Sequence, residues 1–358
     1  MSVTADLRDT CGMSRLAGAI SMAVALAASA CGGSGSPGEV DGPPGGSDAP
    51  PTADAPPGTP DARPDARIVV DDPCFPTPSA SAGHHVLPCD GIDYEVEVPP
   101  TCAAAGCGII VDVHGLTMSG NMQDANTGLR TRGADAGFVV IQPSANPDPP
   151  QSSWSDADDP KIHDFLLRAI AFYGIDPDRV HMTGFSQGGF MTWRFLCNHA
   201  DTFASVAPAG AASACITAGQ ACSFTGSELP SRELAVLYMH GREEQNYIPW
   251  TCAQPQVDAI ASAWNLTSST VIDSDATFTR TRYSNAGGTV LEFLAHDYHS
   301  TAQIPFLDLT ELQGHCFPGS TDPGGAPGQL FSFKCEQPTP PSFVWGEEVV
   351  EFFVAHPK

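Results

Sequence analysis

From about Asp93 onward the chain alternates short runs of β-branched and apolar residues with stretches of helical periodicity, and no other feature restricts its fold so sharply. "GIIVDVHG" (Gly108 to Gly115) and "FVVIQPS" (Phe138 to Ser144) carry little polar alternation and stop at turn residues. Each therefore reads as a strand covered on both faces. Between them the stretch from Gln123 to Ala136 is helix-compatible. "DFLLRAIAFYG" (Asp164 to Gly174) reads as a helix closed by glycine, and "DPDRVHMTG" enters the next strand. The helix "GGFMTWRFLCNHA" follows, then the strands "FASVAPAGA" and "LAVLYMHG" (Leu234 to Gly241). "DYEVEVP" (Asp93 to Pro99) alternates as an edge strand should, and "TRTRYSNAGGTVLEFLAHDY" reads as a hairpin turning at Gly287-Gly288. "WGEEVVEFFVAHPK" is a closing helix. Such alternation implies one α/β domain, a mostly parallel central sheet with helices on both faces.

The residues before that domain obey different rules. Arg15 precedes the uncharged run "LAGAISMAVALAASA", long enough for a signal h-region and rich in small residues, and Cys31 follows it. Residues 1–31 therefore read as a signal peptide. Its end resembles a bacterial lipoprotein signal in which Cys31 is lipidated, with plain secretion as the alternative. Residues 32–65, rich in Pro, Gly and Asp, cannot form a core and read as an extended, solvated tether with a reach of about 100 Å. Residues 66–358 are left for the folded domain.

Setting Cys11 and Cys31 aside from the twelve cysteines leaves ten, an even number in a chain that reads as exported. That pattern implies a disulfide framework, because the compartment oxidises thiols. Zinc at Cys102 and Cys107 is the rival, weakened by the lack of a second close pair. The formal net charge of −25 sets the surface against nucleic acid and other polyanions. A membrane partner enters only through a lipid on Cys31, and the charge favours a neutral substrate.

Within the domain, Gly184-Phe185-Ser186-Gln187-Gly188 falls where a strand, Val180 to Thr183, meets a helix beginning near Gln187. The motif is short, and a plain strand-to-helix turn would read the same way. A sharp turn that presents a nucleophilic serine needs glycine on both sides, since a Cβ there would strike the neighbouring strand or helix. A serine hydroxyl needs a base, and the base needs an orienting carboxylate. "LAVLYMHG" is followed by "REEQNYIPW", which offers Glu243 and Glu244, and "LQGHCFPG" offers His315. His296 and His299 in "HDYHS" compete with His315. His114 and His240, each before a glycine at a strand end, read as histidines satisfied by local hydrogen bonds.

From about Asp90 the chain resembles the secreted esterase family that includes polyhydroxybutyrate depolymerases and feruloyl esterases. The resemblance is carried by "VDVHG", "TGFSQGG", an "HG" followed by an acid and a Pro-aromatic pair, and "GHCFPG", in that order. "YGIDPDRVHMTGFSQGGFMTWRFLCNHADTFASVAPAGA" follows the family pattern almost throughout. The resemblance implies an α/β-hydrolase fold and a catalytic triad of Ser186, Glu244 and His315, with Glu243 the alternative acid. The oxyanion-binding amides fall on Leu116 and Gln187. Trp154, Trp250 and Phe317 are candidates to line the substrate, with core packing the alternative for each. The sequence departs from the family in three respects: Glu stands where Asp is usual, Phe317 where Trp is usual, and the segment before His315 is longer.

The expectation is thus an exported, disulfide-stabilised serine esterase that uses neither metal nor organic cofactor. Feruloyl or acetyl esters of sugars are favoured as substrate over polyhydroxyalkanoate or another polyester. A non-catalytic sugar- or polymer-binding lipoprotein on the same fold is the alternative of another class.

Overall fold

A computed structural model of the chain describes residues 72–104, 106–213, 222–304, 310–324, 329 and 331–358. All of them belong to one compact unit, Arg63–Lys358. The expected signal peptide, Cys31 and the tether lie outside the described residues.

Ten strands form one sheet. In chain order they are β1 (Gly83–Cys89), β2 (Ile92–Val98), β3 (Gly108–Val113), β4 (Phe138–Ser144), β5 (Val180–Phe185), β6 (Ser205–Ala209), β7 (Ala235–Gly241), β8 (Ser268–Ser274), β9 (Phe278–Ser284) and β10 (Val290–His296). Their order across the sheet is β1-β2-β4-β3-β5-β6-β7-β10-β9-β8. The middle run from β4 to β10 is parallel throughout, and the pairs outside it are antiparallel. The strands β3, β5 and β6 are buried at every residue, which is why their sequences lack alternation. A two-stranded ribbon, β11 (Ser300–Gln303) with β12 (Glu311–Gln313), lies apart.

Helices cover both faces. The helices α3 (Asp159–Tyr173), α4 (Gln187–Asn198) and α5 (Ala253–Ala263) share one core, in which Phe165, Trp193 and Val257 are buried. Leu129, Trp345 and Phe352 occupy a second core, built with α1 (Gly120–Thr127), α2 (Leu129–Asp135) and α6 (Trp345–Ala355). On α3 the buried residues Ile162, Phe165, Leu166, Ala169 and Tyr173 fall at helical spacing on one stripe. Phe165 stacks on Tyr94 of β2 with ring centroids 3.6 Å apart. Gly174 closes α3 in the left-handed conformation, φ 64°.

Three elements differ from what the sequence pattern predicts. The strand at Asp93 to Pro99 is not an edge, because β1 pairs with it along seven residues, Gly83↔Val98 through Cys89↔Ile92. With two histidines and Pro88, "GHHVLPC" carries a weak strand signal. The helix expected over Gln123 to Ala136 is two helices, divided at Gly128, whose φ of 61° ends α1. Beyond the expected hairpin, β8 extends the sheet with all seven residues exposed, so no apolar face marks it. The turn at Gly287-Gly288 does join β9 and β10, which pair antiparallel from Val290↔Ser284 to His296↔Phe278.

Four disulfides link Cys74–Cys89, Cys102–Cys107, Cys197–Cys222 and Cys316–Cys335, and Cys252 is also disulfide-bonded. The Cys102–Cys107 bond occupies both thiols that zinc would have used. No helix among the described residues is long and apolar enough to cross a membrane.

Burial also sets how the fold responds to acid. It pushes His181 and His296 down to about 3 and His114 to about 4, from 6.5. Below pH 6.5 each of these rings takes up a proton only on unfolding, which costs stability at about 1.4 kcal/mol per pH unit until the folded value is reached. Asp112, raised by burial to about 7, acts in the opposite direction between 3.8 and 7. Stability should therefore fall between pH 6 and 4, and His181→Leu should flatten that fall by about one proton, about 1.4 kcal/mol per pH unit. Urea unfolding at a series of pH values measures the slope, and an unchanged slope refutes the account.

Candidate active site

At the end of β5 the chain reverses within a single residue. Ser186 has φ 54° and ψ −116°, a conformation costly for any residue with a Cβ. Its N–H donates to the Ala209 carbonyl at 2.9 Å, which holds the turn against the end of β6. The flanking glycines are required by backbone contact. A Cβ on Gly184 would strike the Gly188 carbonyl, and one on Gly188 would strike the carbonyls of Val113 and His114. Gly115 is similarly tight, since a Cβ there would lie 3.1 Å from Ser186 Cβ.

His315 stands against Phe185, the residue before Ser186. A Cβ on Gly210, the residue after Ala209, would approach His315 Nδ1 and Cε1 to 3.2 Å. The His315 ring is 2% exposed as a residue and lies between Phe185, at 4.6 Å between centroids, and Tyr247, at 5.4 Å. Its Nδ1 is 2.9 Å from Glu244 Oε1. Glu244 is fully buried, and its Oε1 also accepts the Ile248 N–H at 2.5 Å. Acid and ring meet because Gly241 and Gly314 pass without side chains: a Cβ on Gly241 would strike the Gly314 backbone, and one on Gly314 would come within 2.8 Å of the Glu244 amide. The Cys316–Cys335 disulfide fastens the segment after His315.

The competing residues are held elsewhere. The Glu243 side chain is 54% exposed and pairs with His299 at 3.0 Å. His296 is buried, its Nδ1 accepting the Tyr298 N–H. Neither histidine is brought to Glu244.

Near Leu116 the chain is fixed by a buried network. His114 Nδ1 faces the Gly115 carbonyl at 2.7 Å, and its Nε2 accepts the Ala145 N–H at 3.0 Å. A carbonyl can only accept, so the proton sits on Nδ1, and burial keeps the ring neutral. The Trp154 indole donates to the His114 carbonyl at 2.9 Å. The Gln187 side chain accepts the Trp154 N–H and donates to the Trp154 carbonyl and to Ser153 Oγ. Thr117 turns at φ 68°, its N–H on the Ser152 carbonyl.

Of the proposed substrate-lining residues, Phe317 is fully buried and packs at 4.1 Å on Phe185, whose ring in turn packs on His315. Trp154 is 4% exposed, tied down as above. Trp250 is half-buried and stacks on Phe293. Tyr247 and the side-chain carboxamide of Gln187 are not among the residues the sequence singles out. "NYIPW" sits two residues after Glu244, but nothing local indicates which ring faces His315.

No family model matches the chain. The bifunctional acetylxylan esterase/xylanase XynS20E of Neocallimastix patriciarum is 24% identical over 148 residues, 40% of this chain and 20% of that protein. The chain thus matches about a fifth of that relative's length. Among solved structures, acetyl xylan esterase from Aspergillus awamori aligns at a TM-score of 0.51 and 15% identity, over 60% of this chain and 93% of that one.

The fold is the α/β-hydrolase fold. Its parallel strands end on one edge, where Ser186 follows β5, Gly210 follows β6 and Gly241 is the last residue of β7. The turn at Ser186 depends most on Gly188. Gly188→Ala should lower stability by about 1–3 kcal/mol, since backbone carbonyls must move to admit the methyl group. Thermal unfolding against an Ala substitution at exposed Asn198 measures the difference.

Proposed function

We propose that the chain is an exported serine esterase that hydrolyses carboxylic esters through Ser186, His315 and Glu244. The observation that carries this reading is the 2.9 Å approach of the buried Glu244 carboxylate to His315 Nδ1, beside the strained turn of Ser186. The hydroxyl of Ser186 attacks the ester carbonyl carbon while His315 Nε2 takes its proton. Glu244 holds the Nδ1 tautomer and stabilises the imidazolium. The oxyanion is received by the amides of Leu116 and Gln187. Gln187 is suited to this, because the first residue of a helix has an N–H without an intrahelical partner. His315 returns the proton to the leaving alcohol, and water then opens the acyl-enzyme by the same route.

Acetyl esters of xylan or related sugars are the favoured substrates. Both similar proteins are named for that activity, and a strongly acidic surface suits a neutral polysaccharide. Feruloyl esters come next. Export is supported by the disulfides, which persist in an oxidising compartment. In this reading residues 1–31 direct export, Cys31 carries a lipid, and residues 32–65 tether the catalytic domain of residues 66–358.

The decisive experiment compares wild type with three variants on 4-nitrophenyl acetate. Ser186→Ala and Glu244→Ala should lower kcat by about 10³-fold or more, while Glu243→Ala keeps most of it. A fluorophosphonate probe that leaves Ser186 unlabelled would move the reading to a non-catalytic binder. Release of acetate from acetylated xylan, ferulate from methyl ferulate and hydroxybutyrate from emulsified polymer separates the substrates. Turnover of the polymer alone would make the protein a polyester depolymerase.

A further inference from the structure

His240 is fully buried at the end of β7, one residue before Gly241. Its Nε2 lies 2.9 Å from the Ile248 carbonyl and 3.4 Å from Glu244 Oε2. Its Nδ1 lies 3.0 Å from the Tyr238 hydroxyl. The Ile248 carbonyl can only accept, so the ring carries its proton on Nε2 and receives the Tyr238 O–H at Nδ1. Ile248 then closes a ring of contacts, because its own N–H donates to Glu244 Oε1. The two oxygens of Glu244 are thereby divided. Oε1 meets His315 and the Ile248 amide, while Oε2 has no hydrogen-bond partner and lies 3.4 Å from His240 Nε2.

We infer that His240 is a positioning residue that acts through Glu244, holding the carboxylate in the orientation that presents Oε1 to His315. The inference rests on the serine esterase reading. A fully buried carboxylate is shielded from bulk solvent, so its direction depends on the N–H groups that reach it. His240 holds Ile248 by its carbonyl, Ile248 in turn donates its N–H to Oε1, and the His240 ring itself stands 3.4 Å from Oε2. Burial lowers the proton affinity of this ring, which keeps it neutral. A charged ring here would compete with His315 for the same carboxylate. Tyr238 stays protonated, its ionisation pushed far up by burial, and so fixes the tautomer. The Tyr238 ring itself is locked by stacking on Phe293 at 5.2 Å and by an edge contact with Trp193 at 5.4 Å.

The test is a double-substitution cycle on a soluble ester, with folded concentration fixed by circular dichroism. His240→Leu should lower kcat by about ten- to a hundredfold with KM unchanged. His240→Gln, which keeps an N–H donor, should recover a substantial part of the loss. In a Glu244→Gln background His240→Leu should cost nothing further, because the route to His315 is already cut. Equal losses in both backgrounds, or an unchanged kcat, overturn the inference, since a merely structural histidine behaves in one of those ways. If His240→Leu does not fold, Tyr238→Phe carries the same cycle, with an expected fall of about fivefold that vanishes in the Glu244→Gln background. If Ser186→Ala and Glu244→Ala remain severe while the His240 cycle is additive, the positioning role alone fails. Retained turnover in Ser186→Ala removes the esterase reading and this inference with it.

Discussion

Close backbone passage at one edge of the sheet is the constraint on which the rest of the molecule depends. Gly115, Gly184, Gly188, Gly210, Gly241 and Gly314 each sit where a Cβ would meet a neighbouring backbone or a site side chain at about 3 Å or less. Interiors packed to crystal-like density leave no slack for such a methyl group. The glycines let the turns after β5 and β7 and the segment before His315 converge on one small volume. The parallel sheet makes this convergence natural, because every strand from β4 to β10 ends on the same edge.

What gathers there is dry and closely held. Glu244 is fully buried, His315 is enclosed by Phe185 and Tyr247, and Phe317 backs Phe185 from the core. A carboxylate buried in this way is costly unless its charge is met by hydrogen-bond donors and an adjacent base. The Ile248 amide and the His315 ring fill that role for Glu244. Charge elsewhere is buried under the same rule. Glu292 on β10 receives Arg280 and Arg282 from β9, and Arg280 reaches on to Glu348 of α6. That network ties the antiparallel extension of the sheet to the helix layer.

Much of this fold is legible in the sequence, for physical reasons that differ from residue to residue. The strands β3 and β4 were visible because burial on both faces removes polar alternation. The turn at Ser186 was visible because its glycines are forced by geometry that recurs wherever a strand turns sharply into a helix. Residues whose role depends on a distant partner were invisible. The Tyr247 ring and the Gln187 side-chain carboxamide look like ordinary aromatic and polar groups until His315 and Trp154 are set beside them. β8, exposed along its whole length, left no hydrophobic signature, and β1 was masked by His84, His85 and Pro88.

The sequence by itself determined the alternation of strand and helix, the tight glycine turn and a short set of ionisable residues in suitable order, because these follow from local sterics and from the period of burial. The tertiary structure alone decided which of two adjacent glutamates faces the histidine. Glu243 and Glu244 are chemically identical and neighbours in the chain, so no local rule separates them. The direction of one backbone turn after β7 places Glu244 beside His315 and leaves Glu243 in solvent with His299.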